Sequence, residues 1–306
     1  HDRSLETMVR RRSVPKRSRP RRTGQGGVPT PNRSLPASDT IRQVERILRE
    51  PRYESFIKQL STAARDPKIR HILIGGLMDG QLVDDLVTSN VIIRKTGNLT
   101  PIQYEIDLTS TLAWIGTHPE NVPHILRGGT LGPEHFGGNP IVTGGGGYIV
   151  DGHHRWSQVY LINPEARLRS IDLNVLDPEK ALRASQIAIA AMTGEVPVQQ
   201  VKTGKNLYAM SFEDIEENLP RYLSTEFYEA FYETNPTEFR TREDVHRHIL
   251  GNIMRMRKNS RPASDIGREL MPQFDAIPGG PEAGTSALEE GQVNRSRPYI
   301  KPESAA

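Results

Sequence analysis

Hydrophobic spacing predicts three short helices between residues 38 and 75. The stretches TIRQVERILRE and YESFIKQL each repeat apolar residues at the spacing of one helical face. Asp66-Pro67 is a typical helix start, because aspartate can cap the first turn and proline fits into it. The stretch SNVIIRK then has the β-branched residues that are typical of a strand. Residues 38–95 are therefore predicted to form a helical N-terminal segment and a linking strand.

The pattern is mixed between residues 96 and 176. LTPIQYEIDL alternates like a strand entering a loop, and PENVPHILRGG is typical of a short helix closed by glycines. NPIVTGGGGYIVDG predicts two strands, at 141–143 and 148–150, joined by a glycine turn. A helix follows, with its apolar positions at Trp156, Val159 and Tyr160, and RSIDLNVL returns as a strand. This order of elements predicts a compact α+β domain.

Residues 177–258 have the spacing of helices. Asp177-Pro178 is a helix start, and two pairs of residues, Ser211 with Asp214 and Thr241 with Asp244, have the spacing of capping boxes. Residues 259–306 are rich in Pro, Gly, Ser and Glu without any period, which predicts a disordered C-terminal tail.

Charge separates residues 1–37 from the rest. Residues 1–34 contain ten Lys or Arg and two acidic residues, whereas the whole chain has 40 basic and 37 acidic residues. With little apolar content, this segment is predicted to be a disordered basic arm. The arm between Arg10 and Arg22 could bind nucleic acid in a salt-sensitive way, or it could be a solubilising tail.

Composition narrows the candidate chemistry. The chain has no cysteine, which excludes disulfides, thiolate metal sites and cysteine nucleophiles. Its apolar runs are shorter than the roughly 18 residues that a membrane-spanning helix needs. We therefore expect a soluble protein with no membrane partner.

The stretch YIVDGHHRW has the features of an anion site. A strand that ends at Val150 and a helix that begins near His153 leave unpaired backbone N–H groups at the positive end of the helix dipole. Gly152 allows a ligand close to the backbone, Arg155 can form two hydrogen bonds to a phosphate, and the histidines add donors.

Two other interpretations compete with the anion site. Adjacent histidines on a helix diverge by about 100°, so His153 and His154 are poorly placed to share one metal ion, and no metal site is predicted. Alternatively, Asp151 is only the N-cap of a helix with a solvated first turn. Composition does not decide between this cap and the anion site.

The segment PIVTGGGGYIVDGHHRWSQVYLINPEARLRSIDLNV resembles the nucleotide-binding core of the ParB/sulfiredoxin superfamily. Members of that superfamily have a strand and then a Gly-x-x-Arg turn at a helix start. ParB partition proteins have Gly-Glu-Arg-Arg there, sulfiredoxins Gly-Cys-His-Arg, and free-serine kinases Asp-Gly-His-His-Arg. Residues 151–155 match the kinase-like form. The resemblance covers residues 96–176 and implies a small mixed-sheet core there. The hydrophobic spacing predicts a helical region on each side of this core, and the composition predicts disordered tails.

The resemblance also implies roles for individual residues. Gly152, His153, His154 and Arg155 would contact the phosphates of ATP or ADP, with CTP as an alternative nucleotide and Mg²⁺ bridging the phosphates. Sulfiredoxin chemistry is excluded, because it needs a cysteine where this chain has His153.

The remaining site residues come from the same likeness. Glu105, in PIQYE, would be the general base, and Gln103 would position a phosphate or a water. Asp151 would be a cap or an assisting carboxylate, and His154 is a further candidate catalytic residue.

The expected function is nucleotide-dependent phosphoryl transfer, to a small-molecule or protein acceptor that the sequence does not identify, or nucleotide hydrolysis. The alternative is a ParB-like DNA-binding, nuclease or partition-type accessory protein of phage or plasmid origin. Either function would be carried out in the cytoplasm of a bacterial or phage-infected cell.

Overall fold

The N-terminal helices lie where the hydrophobic spacing predicts them. The structure is a computed structural model, and it describes residues 38–75, 87, 89–197, 205–280 and 283. Helices α1 (Ser38–Leu48), α2 (Tyr53–Ala63) and α3 (Pro67–Gly75) match the three predicted ones. The Asp66 carboxylate accepts the backbone N–H of Lys68 at 2.9 Å, which confirms the predicted helix start.

A mixed β-sheet forms the central layer of the part of the chain that the structure describes. Its strands are β1 (Ser89–Lys95), β2 (Thr100–Pro101), β3 (Thr130–Leu131), β4 (Ile141–Gly144), β5 (Tyr148–Asp151) and β6 (Arg167–Leu173). Their spatial order is β1-β6-β4-β5-β2, and β3 pairs with β6 beside that path. The pairs β1–β6 and β4–β5 are antiparallel, whereas β2–β5, β3–β6 and β4–β6 are parallel.

Helices cover both faces of this sheet, which confirms the predicted α+β class. Strands β4 and β5 send alternate residues to two hydrophobic cores, with Val142 and Val150 in one core and Ile141 and Ile149 in the other. The later helices are α4 (Leu108–Thr117), α5 (Val122–Leu126), α6 (His153–Ile162), α7 (Pro178–Thr193), α8 (Phe212–Tyr222), α9 (Thr225–Thr234) and α10 (Arg242–Asn259). The first core also contains residues of α1–α3 and α7, and the second contains residues of α4–α6 and α8–α10.

The stretch LTPIQYEIDL differs from its prediction. Only Thr100–Pro101 is strand, and Asp107 then caps α4 by accepting the Ser110 backbone N–H at 2.8 Å. The alternation has another cause: Ile102 is buried in the first core and Ile106 in the second. Residues 102–107 are therefore a loop that passes between the two cores, and we call them the inter-core loop.

Residues 260–277 correct the predicted start of the C-terminal tail at residue 259. They contain two short 3-10 turns, Arg268–Leu270 and Phe274–Ala276, and they bury Met271, Phe274 and Ile277 in the first core. Their polar composition hides these apolar anchors, because three apolar residues over seven positions are too few to establish a helical or strand period. We call residues 260–277 the C-terminal strap.

Phe274→Ala should lower the free energy of unfolding by about 3–5 kcal/mol, because it removes a fully buried ring from the first core. Urea unfolding measures this change. Leu176→Ala is the matched control, since Leu176 is 87% exposed and should change stability little. If the two variants were equally stable, the strap would not belong to the core.

Among the helices that the structure describes, none is both long enough and apolar enough to cross a membrane.

Candidate functional site

A cavity of about 160 Å³ lies at the junction of β5 and α6. Four separate segments meet there: the inter-core loop, α4, the β5–α6 turn and the C-terminal strap. The cavity therefore brings most of the predicted site residues together with residues from distant parts of the chain. Its lining residues are Gln103, Ser110, Val150, Asp151, Gly152, His153, His154, Arg155, Arg268, Met271, Pro272, Gln273 and Asp275.

The start of α6 faces the cavity without a side-chain cap. Gly152 is the N-cap residue, in the left-handed conformation with φ 96° and ψ 26°, and no side chain caps the helix. This conformation favours glycine. The first bond within the helix runs from the Trp156 N–H to the Gly152 carbonyl, so the amides before it have no acceptor within the helix. The interpretation of Asp151 as the N-cap is therefore wrong.

Arg155 contributes a buried donor that has no acceptor. Its Nη2 donates to the Pro140 carbonyl at 3.1 Å and lies 3.6 Å from Oδ2 of Asp151. Its Nε is buried and has no hydrogen-bond partner in the structure. Buried donors are nearly always paired in native proteins, so this nitrogen calls for an acceptor, which a water or a ligand oxygen would supply.

The two histidines hold the inter-core loop. Nε2 of His153 accepts the backbone N–H groups of Ile102 and Gln103, both at 3.2 Å, and Nε2 of His154 accepts that of Asp107 at 3.2 Å. A ring nitrogen that accepts a hydrogen bond carries no proton, so each neutral imidazole has its proton on Nδ1.

Burial keeps both imidazoles neutral. It lowers the pKa of His153 well below its ordinary value, and burial, with Arg268 nearby, lowers the pKa of His154 to about 3. Each ring therefore carries its proton on Nδ1 and has no positive charge. Within the described ranges, no three or more His, Asp or Glu side chains form a group able to hold a metal.

Asp151 is the carboxyl of the cavity that titrates near neutrality. Burial raises its pKa to about 6, against the opposing influence of Arg155, and Asp275 raises it further. The backbone N–H groups of Gly152 and Phe274 donate hydrogen bonds to the carboxylate, and these bonds lower its pKa. A carboxyl with this pKa can exchange a proton at cellular pH, as an acid–base group must.

The pKa of Asp151 predicts a pH-dependent stability. Its folded value, about 6, lies above the ordinary 3.8, so the folded protein binds this proton more tightly than the unfolded chain. The stabilisation that this proton gives to the folded protein should be fully present below pH 3.8. It should be lost as the pH rises to 6, and the free energy of unfolding should fall by about 3 kcal/mol in total. Urea unfolding across that pH range should show this fall in the free energy of unfolding for the wild type and for Asp265→Asn, whose carboxyl is exposed. Asp151→Asn should not show it.

Glu105 lies outside the lining of the cavity. Its backbone carbonyl accepts a hydrogen bond from the Gln103 side chain, and its own carboxyl is partly exposed. Burial and the neighbouring acids Asp107 and Glu269 raise its pKa. Gln103 lines the cavity as expected, whereas the role of Glu105 as a base stays a prediction.

Sequence reasoning missed the residues that α4 and the strap supply. Ser110, Arg268 and Asp275 all line the cavity. The Asp-x-x-Ser spacing of residues 107–110 was a usable signal, because it is typical of a helix N-terminus. No comparable signal marked Arg268 or Asp275, since both lie in a polar stretch without a period.

Comparisons of the chain with models of protein families, with curated proteins and with solved structures find no match. Membership of the ParB/sulfiredoxin superfamily therefore stays a prediction that rests on the motif at residues 151–155.

Proposed function

We propose that the cavity binds the phosphate groups of a nucleotide and that the protein transfers a phosphoryl group or hydrolyses the nucleotide. The observation that carries this proposal is the buried, unpartnered Nε of Arg155 beside the uncapped start of α6. A guanidinium and a helix N-terminus both favour an anion with several acceptor oxygens. Phosphate has this chemistry.

The size of the cavity supports a ligand of which only one end, the phosphate end, lies inside. A cavity of about 160 Å³ is smaller than the roughly 300–1,000 Å³ of sites that enclose a whole drug-sized molecule. A nucleotide would put its phosphates inside and leave its nucleoside at the mouth. The choice of ATP or ADP, with CTP as the alternative, comes from the likeness of residues 151–155 to the kinase-like motif.

Asp151 supplies the proton chemistry of the proposed reaction. Its carboxylate accepts the proton of an acceptor hydroxyl or a water as that oxygen bonds to phosphorus. The bond from phosphorus to the bridging oxygen breaks, and the leaving group keeps the electron pair. Arg155 and the amides at the start of α6 stabilise the negative charge that develops on the phosphoryl oxygens.

Two carboxyls, Asp151 and Asp275, line the cavity, and Asp151 lies beside Arg155 and is bonded to backbone amides. In the portion of the chain that the structure describes, no group of three or more His, Asp or Glu could hold a metal without help from a ligand. Mg²⁺ at nucleotide sites is usually held by one or two carboxylates together with the phosphates. Asp151 and Asp275 would therefore hold a Mg²⁺ that arrives with the nucleotide, and the ion would neutralise phosphate charge.

Isothermal titration of the full chain tests the binding. ATP and ADP should bind with and without EDTA, and adenosine, which lacks phosphate, should not. CTP titrated in parallel reports the base preference. Failure of all the phosphate compounds to bind would exclude the proposal.

Labelled ATP tests the chemistry. Wild type should release phosphate or transfer it to an added acceptor, and Asp151→Asn should lose most turnover, by about 10²–10⁴-fold, while it still binds ATP. Equal turnover by the two proteins would remove Asp151 from the mechanism.

The alternative of nucleic-acid binding concerns the arm between Arg10 and Arg22, which lies outside the described residues, so it stays a prediction. A nucleotide-using activity keeps the cytoplasm as the proposed compartment.

A further inference from the structure

The C-terminal strap carries a second guanidinium to the cavity. Arg268 lines it, with Nη1 3.5 Å from Oγ of Ser110 on α4. Arg155 has Asp151 as an ionic neighbour, whereas no carboxylate of the described residues lies within ion-pair distance of Arg268. Arg268 therefore brings to the cavity a positive charge that has no ion pair, although it also interacts electrostatically with Glu105.

Backbone hydrogen bonds and buried side chains hold Arg268 in position. Before it in the strap, Ala263 N–H donates to the Pro101 carbonyl at 2.9 Å, and Ile266 accepts the Tyr104 N–H at 3.1 Å. After it, the Leu270 carbonyl accepts bonds from the Tyr53 hydroxyl at 2.8 Å and the Gln186 amide at 2.9 Å. The segment that carries Arg268 is thus anchored on both sides.

The inter-core loop connects the C-terminal strap to the histidines of α6. Ser264 donates its hydroxyl proton to the Ile102 carbonyl at 2.8 Å, while His153 accepts the N–H of that residue. The strap and α6 thus hold one loop between them. The two arginines that they carry are parts of one site, although they lie far apart in the chain.

We propose that Arg268 is a second phosphate-binding residue and that the site takes a terminal phosphate, with two negative charges, rather than a phosphodiester. This inference rests on the proposed function and deepens it. A terminal phosphate has three unsubstituted oxygens, and the cavity offers three sets of donors: Arg155, Arg268 and the amides at the start of α6. A phosphodiester has one charge and two such oxygens, so it leaves one set unused.

Isothermal titration in EDTA with AMP and 3′,5′-cyclic AMP separates the two ligand classes. These molecules share the base and the sugar, but only AMP has a terminal phosphate. Wild type should bind AMP at least about tenfold more tightly than the cyclic diester. Equal affinity would overturn the specificity for a terminal phosphate.

Variants of the strap test the residue itself. Arg268→Ala should weaken AMP and ADP binding by about 10–100-fold, and Arg268→Lys should restore part of the loss. Arg261→Ala, at an exposed position of the same strap, should bind like wild type. The unfolding midpoints of all these variants should equal that of wild type, which separates loss of a ligand contact from loss of the strap.

The outcomes distinguish this inference from the proposed function. If Arg268→Ala binds AMP and ADP like wild type while Arg155→Ala does not bind, the role of Arg268 is wrong and the phosphate site stands. If the binding loss of Arg268→Ala comes with a lowered unfolding midpoint and lysine restores none of it, Arg268 is structural. If wild type binds neither AMP nor ADP, both proposals fail.

Discussion

Arg155→Ala is expected to weaken the binding of ATP and ADP by about 100-fold or more. The substitution removes the unpartnered Nε donor, and hydrogen bonds to charged groups contribute about 1.5–3 kcal/mol each. It also removes the positive charge beside Asp151, so the pKa of that carboxyl should rise further above 6. Isothermal titration at pH 7.5, where the wild-type Asp151 is ionised, measures the loss.

Two further variants show whether the loss is specific. Arg155→Lys keeps the charge but cannot form the paired hydrogen bonds of a guanidinium, so it should recover only part of the affinity. Arg127→Ala removes an exposed arginine and should leave binding unchanged. Retention of wild-type affinity by Arg155→Ala would show that the anion site is not at the start of α6.

His153→Ala should lower the free energy of unfolding by about 2–6 kcal/mol and abolish nucleotide binding. The substitution leaves the amides of Ile102 and Gln103 without an acceptor in a buried position, at about 1–3 kcal/mol for each. The inter-core loop would then loosen, and with it Gln103 and the attachment of the strap. Urea unfolding measures the change, and hydrogen exchange at those two amides should accelerate.

The choice of replacement separates the loop contact from other roles of the ring. His153→Gln supplies a side-chain carbonyl that can accept from the loop, so it should recover part of the stability. His71→Ala, which removes an exposed histidine, should unfold like wild type. Unchanged exchange at Ile102 and Gln103 in His153→Ala would contradict the role that we assign to the ring.

Local signals in the sequence were sufficient for most of the elements. The glycines between β4 and β5 predicted the hairpin, and the apolar spacing of Trp156, Val159 and Tyr160 predicted α6. The motif at residues 151–155 located the start of α6. These features depend on neighbours within a few residues, which is the range over which sequence patterns are informative.

The contacts between residues that lie far apart in the sequence could not be predicted from local patterns. The histidines were expected to act as donors to a ligand, but the partners of their Nε2 atoms are backbone amides of the inter-core loop. The composition of residues 259–306 places Arg268 in the predicted tail, and only the tertiary packing of Met271, Phe274 and Ile277 shows that the strap belongs to the core. Long-range burial of this kind leaves no periodic signal.

The position of the strap also has a consequence for biosynthesis. Strands β4 to β6 and α6 emerge from the ribosome early, whereas Arg268 and Asp275 belong to the last part of the chain that lines the cavity. A nascent chain can therefore form the start of α6 before its binding cavity is complete. The nucleotide binding that we propose would reach its full strength only after translation has passed the strap.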